Sequence, residues 1–229
     1  MGQERIWEYF QNEGVASFAD AVPRYEFLAR RLSAALPRGA KVLNIGAGSG
    51  QLERMLQHRA FAVSALDPGE AVIRRLASDG VDGRVGSAER LPFASGSFDA
   101  VVASEVLEHL DPAQCELAVA EIQRVLKDGG LFLGTVPFNE QLEGSRTVCP
   151  ECGHQFHRWG HRQAFDRAGL ERLLGSRFSV RSLSTRTFVA WRGGVRRLLK
   201  SLAKWVLARA GEPIADPHLY FECRTRGQP

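Results

Sequence analysis

Val42-Leu43-Asn44-Ile45 runs straight into Gly46-Ala47-Gly48-Ser49-Gly50, and a helical pattern begins at Leu52. An apolar run this short suits a strand buried on both faces. The closely spaced glycines let the backbone adopt positive φ and approach a ligand that side chains would hold away. The helix start that follows presents unpaired N–H groups to a polar ligand. A strand, a glycine turn and a helix in this order predict a parallel α/β sheet with its ligand crevice at the carboxyl ends of the strands.

The alternation continues along the chain. Strands are expected over 42–45, 61–66, 82–85, 100–103 and 131–136, with helices over 52–59, 70–79 and 112–127. Pro112 fits a first helical turn with Asp111 as N-cap, and Asp128-Gly129-Gly130 should stop that helix. Residues 6–36 read as helical in two pieces broken near Gly14 and Pro23, and beyond the sheet come a helix over 163–174, a strand over 178–188, a helix over 195–210 and a last strand over 218–225. A length of 229 residues suits one domain. It divides into an N-terminal helical lid (1–38), a core (40–137), an insertion (138–162) and a C-terminal part (163–229). Apolar residues at 44% and charged residues at 24% fit a soluble globular protein. No apolar run approaches the ~18 to 20 residues of a membrane span, and the start Met1-Gly2-Gln3-Glu4-Arg5 lacks a signal-peptide layout, so a cytoplasmic location is expected.

The glycine spacing narrows the ligand. The dinucleotide fingerprint needs glycines at 46, 48 and 51, but position 51 is Gln and the third glycine is Gly50. That argues against a nicotinamide dinucleotide. Asp67, 21 residues after Gly46, falls at the end of the second strand, where a carboxylate accepts hydrogen bonds from both hydroxyls of an adenosine ribose.

Five segments in order then carry a resemblance: 42–50, Ala65-Leu66-Asp67-Pro68, 86–93 beginning Gly86-Ser87-Ala88-Glu89, 97–110 containing Ser104-Glu105-Val106-Leu107-Glu108-His109, and 121–130. Together they resemble the successive motifs of class I S-adenosylmethionine-dependent methyltransferases, of the type 11 kind. The resemblance implies a Rossmann-like α/β fold, with a seven-stranded mixed sheet, helices on both faces and the last strand antiparallel. It also implies that Asn44, Gly46, Ala47, Gly48 and Gly50 approach the methionine and ribose, that Asp67 holds the ribose and that Pro68 flanks the adenine. Ser87, Ala88 and Glu89 would meet the adenine edge, and Ser104 and Glu105 would face the methionine portion and the acceptor. Two departures stand out: Asn44 replaces the acid usual in the first motif, and Ser87 the Asp that commonly receives the adenine amino group. They keep open a reading from another class, a non-catalytic S-adenosylmethionine-binding protein.

Methyl transfer from a sulfonium needs donor and acceptor held in line, plus removal of a proton where the acceptor is a hydroxyl. Glu105 and His109 are the leading catalytic candidates, with His157 and His161 also on offer; Glu105 is better suited to orienting the cofactor.

Cys149-Pro150-Glu151-Cys152-Gly153 has the form of a zinc knuckle, and His157 and His161 follow at spacings that allow one structural Cys2His2 zinc site. His154 or Cys223 would be substitutes for a histidine, and a redox dithiol or an unligated loop are the competing readings. The Cys-x-x-Cys, Phe-His and Gly-His elements also resemble those of some bacterial small-molecule and glycan-associated methyltransferases.

Between Arg177 and Pro229 there are 11 Lys or Arg against 3 acids. Over 195–210 the apolar Val195, Leu198, Leu199, Leu202, Trp205 and Val206 share one helical face opposite Arg196, Arg197, Lys200 and Lys204. Such a helix either docks on the domain, with its basic side in water, or makes weak contact with an anionic membrane surface or a phosphorylated acceptor. Basic residues are not interleaved with aromatics as in a single-strand reader, so nucleic acid is the less favoured partner and an RNA methyltransferase the alternative reading. The expected acceptor is a small molecule, a glycan or a lipid-linked intermediate, methylated at oxygen.

Overall fold

The computed structural model describes residues 21–189, 203, 206 and 217–226. Nine strands and five helices are present among them. The strands are β1 (Lys41–Ile45), β2 (Ala62–Asp67), β3 (Asp82–Val85), β4 (Phe98–Ser104), β5 (Leu126–Pro137), β6 (Arg146–Val148), β7 (Gln155–His157), β8 (Phe178–Arg186) and β9 (His218–Thr225). The helices are α1 (Val22–Ala35), α2 (Gln51–Gln57), α3 (Glu70–Ser78), α4 (Pro112–Val125) and α5 (Arg167–Gly175).

Seven strands form one sheet in the order β3-β2-β1-β4-β5-β9-β8, and β6 and β7 form a separate hairpin. Pairs from β3 through β5 are parallel, while β9 runs antiparallel to both neighbours. Side chains alternate across each strand, so the two faces acquire separate cores. Val42, Ala65, Val102 and Leu133 pack with Leu28 and Leu32 of α1, Leu52 and Leu56 of α2, and Val72 and Leu76 of α3. Leu43, Leu66, Val101 and Phe132 face the other way, onto Ala118 and Ile122 of α4 and Leu170 and Leu174 of α5. The expected Rossmann-like seven-stranded fold is the one found.

Gly134 shows why a side chain is excluded at one point in the sheet: a Cβ there would lie 1.8 Å from the Ala103 carbonyl oxygen and 2.7 Å from the Phe221 ring.

Several boundaries differ from expectation. Helix α4 has the Asp111–Gln114 capping box, but it ends at Val125, ahead of Asp128-Gly129-Gly130. Leu126 is already extended and pairs with Phe98, and residues 127–130 bulge from the ladder before Leu131 meets Ala100. Helix α5 starts at Arg167, because Asp166 caps the Gly169 N–H while Gln163 is drawn off to bond the Leu110 carbonyl. Pro23 lies in the first turn of α1 and does not break it. The first helical piece expected near the N-terminus lies outside the described residues, as does the basic helix over 195–210 apart from Ala203 and Val206. Among the described residues no helix is long and apolar enough to cross a membrane.

Candidate active site

Strand β1 ends at Ile45, and the chain then turns through Gly46, Gly48 and Gly50 with φ of 81°, 52° and 76°. These left-handed values are strained for residues with a Cβ. Space adds a second constraint at Gly46, where a Cβ would come within 2.7 Å of Val106 beyond β4. The glycine loop and the turn after β4 are therefore in direct apposition at the carboxyl edge of the sheet.

Asp67 closes the loop from the β2 side. Its Oδ2 accepts the N–H groups of Ala47 (3.0 Å) and Gly48 (3.4 Å), and its Oδ1 accepts that of Gly69 (2.8 Å). The Gly86 N–H donates to the Asp67 carbonyl at 3.2 Å, which brings the end of β3 to the same edge. Pro68 and Ser87 are exposed there. Ala88 instead buries its methyl in the core, and the Glu89 carboxylate accepts Gln114 Nε2 at 2.6 Å.

Asn44 is buried beneath the loop, and its Nδ2 donates to Glu53 Oε1 of α2 at 2.7 Å. The carboxylate absent from position 44 is thus supplied by the next helix. Glu53 was not foreseen, although its place beside Leu52 and one turn before Leu56, both buried, was the available signal. Burial pushes the Glu53 carboxyl up to about 7, against the opposing hydrogen bond from Asn44.

The sign of the consequence follows from linkage. Between the ordinary value of 4.5 and about 7 the folded state holds a proton that the unfolded state has lost, so stability falls as pH rises through that window. We expect Glu53→Gln to stabilise the protein at pH 8 by up to ~3 kcal/mol while leaving it unchanged at pH 4, as read by urea denaturation. An equal effect at both pH values would contradict this.

At the end of β4, Glu105 adopts φ 59°, a conformation uncommon for a residue with a side chain, and its N–H bonds the Thr135 carbonyl at 2.8 Å. Thr135 Oγ1 donates to Glu105 Oε1 at 2.8 Å, His218 Nε2 lies 3.3 Å from Oε2, and Arg24 NH1 lies 3.9 Å from the same oxygen. Arg24 Nε also donates to Ser104 Oγ at 3.0 Å. Burial opposes ionisation of Glu105, but the charges of His218 and Arg24 and the hydrogen bonds from His218 and Thr135 hold the carboxyl well below the usual range. Arg24, Thr135 and His218 come from α1, β5 and β9, far apart in sequence. Of these, only Thr135, polar within an apolar strand, carried a local signal.

His109 lies in the short 3-10 turn Leu107–His109, with Nδ1 3.2 Å from the Gly160 carbonyl. Burial, then the nearby His161, lowers its imidazole to about 3, so the ring is neutral at pH 7.

The four residues expected to bind zinc are not brought together. Register in the β6–β7 hairpin pairs Arg146 with His157 and Val148 with Gln155, and the Cys149 N–H bonds the His154 carbonyl. Cys149 and Cys152 therefore sit in the turn at the hairpin tip and His157 at its base, on the order of 10 Å away along the strand. Backbone N–H groups of Cys152 and Glu151 do face the Cys149 sulfur and lower its thiol. Among the described residues, however, the clusters able to hold an ion join His157 and His161 to Glu140, and His161 to Glu108 and His109, with no cysteine in either. Cys223 is no substitute ligand: it is fully buried in β9, and burial pushes its thiol up to about 12.

Comparison with known proteins places this geometry. Residues 43–134 match the family model described as a methyltransferase domain. A ubiquinone/menaquinone biosynthesis C-methyltransferase of Desulfotalea psychrophila is 34% identical over 146 residues, 60% of this chain and 50% of that protein. A ubiquinone biosynthesis O-methyltransferase of Xanthomonas axonopodis pv. citri is 41% identical over 122 residues, 49% of this chain and 48% of that protein. The chain thus spans about half the length of the curated relatives it matches. Among solved structures, the 1,6-didemethyltoxoflavin-N1-methyltransferase of Burkholderia thailandensis, with S-adenosylhomocysteine bound, superposes with a TM-score of 0.68 at 19% identity, covering 97% of this chain and 86% of that one. Residues 43–134 are thus similar to a methyltransferase domain, and the sheet that holds them has the Rossmann-like fold of the solved methyltransferases.

Proposed function

We propose that this chain binds S-adenosylmethionine between the glycine loop and the end of β2, and transfers its methyl group to an oxygen of a small-molecule, glycan or lipid-linked acceptor. The observation that carries the reading is the grip of Asp67 on the loop through Ala47 and Gly48. An ionised carboxylate only accepts hydrogen bonds, which is the complement that ribose hydroxyls need at this edge. The edge also buries polar atoms without hydrogen-bond partners, Asn44 Oδ1, Ser49 Oγ and Gln51 Oε1, which suits a polar ligand. The Burkholderia thailandensis neighbour holds S-adenosylhomocysteine, and the Xanthomonas relative is named an O-methyltransferase.

When bound, S-adenosylmethionine supplies an electrophilic methyl group on a positively charged sulfur. The chain contributes position, an effect worth up to ~7–11 kcal/mol in well-oriented reactions. A carboxylate held as acidic as that of Glu105 is a poor proton acceptor. Glu105 therefore serves to orient the cationic cofactor, braced by Arg24, Thr135 and His218.

Calorimetry with S-adenosylmethionine and S-adenosylhomocysteine should give saturable binding of both. Labelled methyl should then pass to hydroxylated small acceptors in a panel that includes quinone precursors, sugars and RNA. Binding of neither compound would overturn the cofactor assignment, and label entering RNA alone would favour the nucleic-acid alternative.

A further inference from the structure

Beside the cofactor edge lies a second polar cluster. The N–H groups of Arg162 and Gln163 both donate to the Glu108 carbonyl, at 2.8 and 3.3 Å, so the loop after β7 is fastened to the turn after β4. This lays the His161 ring against His109, with centroids 4.7 Å apart. Donor atoms of Glu108, His109 and His161, one from each, all lie within 4.8 Å of one another.

Glu108 is 1% exposed, and neither of its carboxylate oxygens has a hydrogen-bond partner. Buried carboxylates are ordinarily paired, hydrogen-bonded or bound to a metal. The tautomers of the two histidines fit the last case. His109 Nδ1 faces the Gly160 carbonyl, which only accepts, so the proton is on Nδ1 and the lone pair on Nε2. His161 Nδ1 faces the Glu140 carboxylate, which assigns its ring in the same way. Metal-ligating histidines almost always donate the other ring N–H to a carbonyl or a carboxylate, which are the two acceptors present.

We propose that Glu108, His109 and His161 bind a divalent first-row transition cation, with Glu140 and the Gly160 carbonyl orienting the two rings from behind. Two imidazoles and one carboxylate suit zinc or manganese better than calcium or magnesium, which prefer oxygen throughout. Three protein ligands leave a position open to water or another oxygen. The neighbouring set of Glu140, His157 and His161 fits less well. His157 Nδ1 accepts the His161 N–H at 3.1 Å, so in the neutral ring the proton is on Nε2, and Glu140 is already engaged by His161.

The test is equilibrium dialysis of the full chain against zinc alone, manganese alone and magnesium alone. One equivalent of zinc or manganese should bind, and Glu108→Gln, His109→Ala and His161→Ala should each weaken binding by ~100-fold or more. Replacing Cys149 and Cys152 together by Ser should leave affinity unchanged. Cobalt bound to the unsubstituted chain should show ligand-field bands with no thiolate charge-transfer band, a readout that does not depend on the variants folding. Binding below about half an equivalent, tighter binding of magnesium than of zinc, loss of affinity in the double Ser variant, or a thiolate band would each overturn the assignment.

Discussion

Asp67→Ala is expected to lower affinity for S-adenosylmethionine and S-adenosylhomocysteine by ~100-fold or more, and to destabilise the fold by ~2–4 kcal/mol. Both effects come from one buried carboxylate. Asp67 is 2% exposed and accepts three backbone N–H groups, from Ala47, Gly48 and Gly69. Removing the acceptor leaves donors with no partner in a place water reaches poorly, and an unsatisfied buried group costs ~1–3 kcal/mol. The proposed ribose contact is lost as well, and the loop that should receive the methionine portion loses its tether. Calorimetry measures the first effect and urea denaturation the second. A drop in affinity of less than about tenfold, with the fold intact, would mean that Asp67 does not hold the ligand.

Glu105→Ala is expected to cost ~2–4 kcal/mol and to reduce methyl transfer by ~100-fold or more. The side chain is 21% exposed and its partner Arg24 14%, so the low end of the range for a broken buried ion pair applies. Without the carboxylate, Arg24 and His218 face each other across 3.3 Å with no anion between them. The pH dependence has a fixed sign. Because the folded carboxyl is held below its ordinary 4.5, its contribution is complete above about that value and is lost as pH falls through the lower, folded one. Acid denaturation of the parent chain should therefore steepen below pH ~4.5, and the Ala variant should lack that component. Identical acid profiles for the two proteins would count against the network.

Local pattern made much of this molecule legible. Val42 to Ile45 can be buried on both faces only as a strand inside a sheet, and the glycines after it tolerate positive φ where other residues would be strained. Asp111 and Pro112 announce the start of α4 by short-range chemistry alone. Asp67 follows from its distance to Gly46, since one crossover helix separates adjacent parallel strands. Each of these readings depends on residues within a few positions of one another or on one standard connection.

What failed, or was missed, depends on pairing across long separations. Spacing alone allowed Cys149, Cys152, His157 and His161 to share an ion, but hairpin register holds the cysteines and His157 at opposite ends, and the loop beyond carries His161 to Glu108 and His109. Glu53 replaces the acid missing at position 44 because α2 turns it back under β1. Arg24, Thr135 and His218 meet Glu105 because α1, β5 and β9 converge at one edge of the sheet. The sequence alone determined the strand, the glycine turn and the acid one strand over, since backbone sterics and short connections dictate them. Only the tertiary structure decided which side chains surround that crevice, because register and sheet order bring together residues that no spacing relates.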